Sequence, residues 1–149
     1  MRDAPNEDGI SLEHFLFINS PVRLKRPEKN LTFTFEQYYR IRWAGEDDKY
    51  RIKTESYTYE IEEEETNHEL FAFHWEPHST VTIPHLHLGF GLGQHDLPID
   101  NKAHIPSGRV PVEDVVHFLI RELNVVPIVN NWADTIARSR ERFMEHKTW

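Results

Sequence analysis

Leu31-Thr32-Phe33-Thr34-Phe35-Glu36-Gln37-Tyr38-Tyr39-Arg40-Ile41-Arg42-Trp43 decides how this chain folds. Leu31, Phe33, Phe35, Tyr39, Ile41 and Trp43 share one parity, and Thr32, Thr34, Glu36, Arg40 and Arg42 share the other. Side chains of a strand point alternately to its two faces, so this period of two specifies a long, half-buried strand. Gly45-Glu46-Asp47-Asp48 supplies the turn, and residues 50–61 return as the partner strand. Within that return, Tyr50 and Ile52 hold one parity while Tyr57, Tyr59 and Ile61 hold the other. One extra residue near positions 54–56, a β-bulge, accounts for the change of phase.

Reading outward, residues 69–75 form a third strand, with Phe71, Phe73 and Trp75 on one face and Leu70, Ala72 and His74 on the other. Glu76-Pro77-His78-Ser79 turns the chain into a fourth strand over residues 81–90. Upstream, residues 15–19 suggest a short strand, residues 21–29 a basic, Pro-punctuated connection, and residues 1–10 a mobile tail. Neighbouring strands joined by short links make an antiparallel meander the economical topology.

Downstream, residues 104–110 read as a short last strand or an extended lead-in. Pro111 suits the first turn of a helix, and Val112, Val115, Val116, Leu119, Ile120 and Leu123 then recur on one helical stripe. Asn131 and Asp134 cap a second helix that carries Trp132, Ile136 and Phe143 inward. Strands followed by helices define an α+β class: one domain over residues 1–149, with an antiparallel β-meander of about four to five strands packed on two C-terminal helices.

An apolar content of 38%, with 4 Trp, 5 Tyr and 9 Phe, excludes a disordered chain. The absence of cysteine excludes a disulfide framework, a thiolate nucleophile and thiolate metal ligands. No apolar run approaches the ~20 residues of a membrane helix, and no leader pattern opens the chain, so a cytoplasmic protein without a membrane partner is expected. The net charge of −8, concentrated in the acidic run from Glu60 to Glu65, opposes broad nonspecific nucleic-acid binding. Local basic groups remain at Arg23, Lys25, Arg26 and Lys29, and at Arg138, Arg140 and Arg142.

Seven of the 10 histidines lie between His68 and His104. The densest part is Pro84-His85-Leu86-His87-Leu88-Gly89, where strand parity sets His85 and His87 ~7 Å apart on one face and Leu86 and Leu88 on the other. Two imidazoles titrating near neutrality can divide the two proton transfers of a phosphodiester cleavage, with His104 as an auxiliary group. His104-Ile105-Pro106-Ser107-Gly108-Arg109 precedes a helix N-terminus, where Arg109 and Ser107 suit phosphate binding. No cofactor is required by that chemistry. The same residues also admit a non-catalytic nucleotide- or protein-binding module. A third reading is a His/carboxylate metalloprotein, in which His85 and His87 join His74 or His95.

Thr82-Ile83-Pro84-His85-Leu86-His87-Leu88 resembles the strand of histidine-triad nucleotide hydrolases, with Gly89 where that triad has its third histidine; the likeness implies His87 as nucleophile. More broadly, His85, His87 and Gly89, followed by Val112-Glu113-Asp114-Val115-Val116-His117-Phe118-Leu119, resemble the TumE-like toxins of bacterial toxin–antitoxin systems. That resemblance implies growth inhibition through RNA, an endoribonuclease activity and a cognate antitoxin partner.

Overall fold

The computed structural model describes residues 11–16, 21–43, 50–90 and 103–146. Its strands are β1 (Ser11–Leu16), β2 (Val22–Leu24), β3 (Leu31–Trp43), β4 (Tyr50–Glu63), β5 (Glu69–Trp75), β6 (His85–Leu88) and β7 (Ile105–Pro106). Two helices follow, α1 (Val112–Arg121) and α2 (Trp132–His146). From β3 to β7 every strand pairs antiparallel with the next, while β1 and β2 pair with successive parts of the free side of β3. The α+β meander is therefore as expected, with seven strands among the described residues rather than four or five.

The extra strands come from segments whose own pattern is too short to read. Val22-Arg23-Leu24 lies within the expected connection, and its strand state comes from its register against Phe33, Thr32 and Leu31. The first strand spans Ser11–Leu16, earlier than the expected 15–19; residues 17–19, like the tail at 1–10, lie outside the described residues. The expected strand over 81–90 contracts to the four residues of β6. Pro84 has no N–H to give a ladder, and much of 77–83 is spent in turns and bends.

The bulge lies where the phase change put it. Tyr38 pairs with Ser56 and Tyr39 with Thr54, which leaves Glu55 as the extra residue. Thr54 is thereby returned to the helix-facing side, where its hydroxyl accepts from Gln37 Nε2 at 3.2 Å. Gln37 Oε1 in turn accepts from the Tyr59 hydroxyl at 3.2 Å, so the polar groups beneath the helices satisfy one another.

On that face Leu31, Phe33, Phe35, Tyr57, Tyr59, Ile61, Phe71 and Trp75 cluster with Val115 and Leu119 of α1. Tyr59 stacks on Phe35 and on Tyr57, with ring centroids 5.3 and 4.6 Å apart. The Tyr57 hydroxyl accepts the Val110 N–H at 3.0 Å and so fixes the entry to α1. After α1, Asn124 adopts a left-handed conformation (φ 56°), and the Val125 N–H reaches the Leu119 carbonyl at 3.1 Å. That turn brings Val125 back to the core.

The basic connection serves the fold. Arg26 Nε donates to the Leu123 carbonyl, Arg23 pairs with Glu64 at 2.6 Å and Lys29 with Glu63 at 2.6 Å. The second helix is peripheral: Trp132, Ile136 and Phe143 are only half-buried, and α2 buries no residue fully. It is tied to α1 through Ser139–Glu113 and Arg140–Asp114.

Candidate functional site

The opposite face of the sheet follows from the same registers. Glu36 pairs with Thr58 and Thr58 with His74; His74 pairs with His85, and Ala72 with His87. Paired residues lie on the same face, so Glu36, Tyr38, Ser56, Thr58, His74, His85 and His87 all point away from α1. They line a cleft of about 360 Å³, which His104, just before β7, closes from the side.

Four imidazoles converge there. Ring centroids are 4.8 Å apart for His85–His87 and for His74–His87, and 5.8 Å for His74–His85. His104 stands 4.9 Å from His85 and 4.5 Å from His87. Ala72 is fully buried opposite His87, and its small side chain leaves His87 and His74 free to meet across the strands. Leu86 and Leu88, of the other parity, pack against the core, as the alternation requires.

His85 is only 4% exposed, and its ring is oriented by the chain just before it. Its Nδ1 lies 2.7 Å from the Ile83 carbonyl, which can only accept, so Nδ1 carries the proton and Nε2 of the neutral ring is a lone pair. That lone pair faces His87 Nε2 at 3.0 Å. His74 is held down to about 4, first by burial and then by the neighbouring His87, His85 and His104. His87 is pushed below its ordinary value by burial and by His85 and His104. Burial and crowding thus favour the uncharged forms of His74 and His87, with nitrogen lone pairs available.

One nitrogen from each of His74, His85 and His87 falls within 4.8 Å of the others. Two nitrogens bound to one tetrahedral zinc at ~2.0–2.1 Å stand about 3.3 Å apart, so the 3.0 Å His85–His87 spacing fits a shared first-row cation. The carbonyl behind His85 Nδ1 is the outer partner that metal-ligating histidines use to fix ring and tautomer.

The expected residues divide. His85, His87 and His104 come together, and His74 joins them through β5. His95 lies outside the described residues. Arg109 is not at the cleft: its guanidinium lies 3.7 Å from the Trp75 ring centroid, on the helix-facing side of the sheet. Ser107 donates its hydroxyl to the Gly108 carbonyl at 2.9 Å and its N–H to the Pro84 carbonyl at 3.2 Å, extending the strand pairing. At Gly89 an added Cβ would lie 1.9 Å from the Glu69 carbonyl oxygen, so no histidine fits where a histidine triad has its third member.

Tyr38, Glu36 and Glu76 also line the cleft, and the pattern of the sequence did not single out the first two. The Tyr38 hydroxyl donates to Glu36 at 3.3 Å, and burial followed by Glu36 and Glu76 raises its pKa. Comparison with protein-family models, with curated proteins and with solved structures finds no match for this chain. Among the described residues, no helix is long and apolar enough to cross a membrane.

Proposed function

We propose that this protein is a histidine-ligated metalloprotein whose open centre carries out hydrolytic chemistry, with His74, His85 and His87 as the ligands. The observation that carries the reading is the convergence of three imidazole nitrogens within 4.8 Å, one of them aimed by the Ile83 carbonyl. Burial and crowding disfavour a proton on His74 and His87, and a shared divalent ion would use the lone pairs that this leaves. Imidazole sets of this kind suit zinc, copper, iron or nickel. Three neutral ligands leave the ion its full charge, and such an ion activates water and polarises a carbonyl or phosphoryl oxygen.

The chain's own residues take the remaining roles. His104 is exposed and rests against both His85 and His87, so it is the group positioned to carry a proton between the centre and solvent. The main chain at Ile83 holds the His85 tautomer. The metal-free reading, in which His85 and His87 act as acid and base on RNA in a toxin-like ribonuclease, finds no phosphate clamp at the cleft among the described residues, with Arg109 on Trp75.

Metal analysis of the purified chain tests the proposal. The expected result is one zinc or other first-row ion per chain, removed by a chelator and restored on dialysis. His85→Ala should abolish it while the helix and sheet signals of the far-ultraviolet spectrum persist. A chain that takes up no ion at micromolar zinc, yet cleaves RNA in a His85- and His87-dependent way, sinks the metal reading in favour of the acid/base one.

A further inference from the structure

The substrate's charge can be read from the rest of the cleft. Tyr38 stands on β3 between two carboxylates: its hydroxyl donates to Glu36, and Glu76 also acts on it electrostatically. Both carboxylates line the same cleft as the imidazoles. Glu76 is held in place at the end of β5 by the His78 N–H, 3.3 Å from its Oε1. Among the described residues, no lysine or arginine lines this cleft.

Two cations of this face among the described residues are already engaged. Arg40 and Lys53 continue the same parity beyond Tyr38, and both reach Glu55, at 3.5 and 3.2 Å. On the other side of the cleft, Glu60 and Glu69 add acid to the face, each with its pKa raised chiefly by burial. Among the described residues, a polyanion entering this cleft meets the carboxylates of Glu36 and Glu76 and no cationic side chain to pair with it.

We infer that the centre acts on a small molecule bearing a cationic group, an ammonium or guanidinium, held by the Tyr38 ring with Glu36 and Glu76 while the reacting bond lies at the imidazoles. This rests on the metal reading above and adds the substrate class. An aromatic ring flanked by carboxylates attracts a cation by two means, ring quadrupole and charge, and repels phosphate. The cleft's modest size and its two carboxylates both favour a small cationic molecule or a single side chain over a nucleic acid.

Three metal-directed probes with a neutral, a positive and a negative remote end test this on the zinc-loaded full chain. They are acetohydroxamate, glycine hydroxamate with its free ammonium, and succinate monohydroxamate with its free carboxylate. Calorimetric titration should give the ammonium probe the tightest binding, at least about tenfold above the carboxylate probe, with acetohydroxamate between them. In Glu36→Gln and Glu76→Gln chains the spread should shrink, while metal content and acetohydroxamate affinity stay as in the parent. A loaded parent chain that binds the three equally, or prefers the carboxylate, overturns the substrate inference and leaves the metal reading standing. A chain that retains no zinc and binds none of the probes overturns both.

Discussion

His74 and His85 are direct cross-strand partners, and their rings meet edge-on with centroids 5.8 Å apart. The pairing makes the site depend on register: one step of slippage of β6 against β5 would turn His85 and His87 toward the helices and leave His74, held by β4, without them.

His104 and His85 should respond differently to removal. His74→Ala, His85→Ala and His87→Ala should each weaken zinc binding by about 100-fold or more, because each takes away a ligand from a set of three. His104→Ala should change it by less than about tenfold while removing most of any hydrolytic activity. Equilibrium dialysis against a zinc buffer separates the two classes, and equal losses at all four positions would make His104 a ligand.

Leu119→Ala should cost ~2–5 kcal/mol, since the side chain is 2% exposed in the seam between α1 and the sheet and its loss leaves a cavity. Urea denaturation measures this, and a loss below about 1 kcal/mol would mean that α1 contributes little to holding the core.

Gly89→Ala should destabilise by about 2 kcal/mol or more, because the new methyl group meets backbone, the Glu69 carbonyl at 1.9 Å, and not a side chain that can swing away. The backbone must separate there, and the Gly89 N–H bond to the Leu70 carbonyl should be lost with it. Amide exchange at Gly89 faster than in the parent is the matching local signature.

Glu60→Gln should stabilise the chain at neutral pH. Burial, then Glu62 and Glu69, raises the Glu60 pKa above 4.5, and burial raises that of Glu69 likewise. The unfolded chain therefore loses these protons more readily, so stability falls as pH rises from about 4.5 through the folded-state values. Thermal midpoints of parent and variant should differ at pH 7 and converge by about pH 3, where both carboxyls are almost fully protonated in either state. A gap that persists unchanged in acid would trace the effect to packing instead.

Periodicity carried the parts of this structure that are long or strongly alternating. The β3–β4 hairpin, the bulge at Glu55, the apolar stripe of α1 and the shared face of His85 and His87 are all written in parity. Parity alone does not say which residues of neighbouring strands are opposite, so His74 could be named beside His95 but not chosen over it. The three residues of β2 and the two of β7 carry too few positions for any period, and only pairing creates them. Arg109 was read toward the phosphate side because it precedes a helix. The direction in which its side chain leaves the main chain is set by the Trp75 ring, a contact between residues distant in sequence. Tyr38 and Glu36 went unnoticed as cleft residues because, in one strand, a tyrosine and a glutamate on the polar face look like ordinary solvent-facing positions.

Pro106 ends the ladder on the side where the histidines lie, paired across from His85. A proline gives an outer strand no N–H to offer, so a strand from another molecule that docks here finds its partner row interrupted at once. The border of the sheet that carries the imidazoles is thereby guarded against the edge-to-edge addition that seeds aggregates, and it can stay open to solvent and substrate without becoming a template for fibrils. Replacing Pro106 would put at risk the solubility of the protein at high concentration before it touched the chemistry of the cleft.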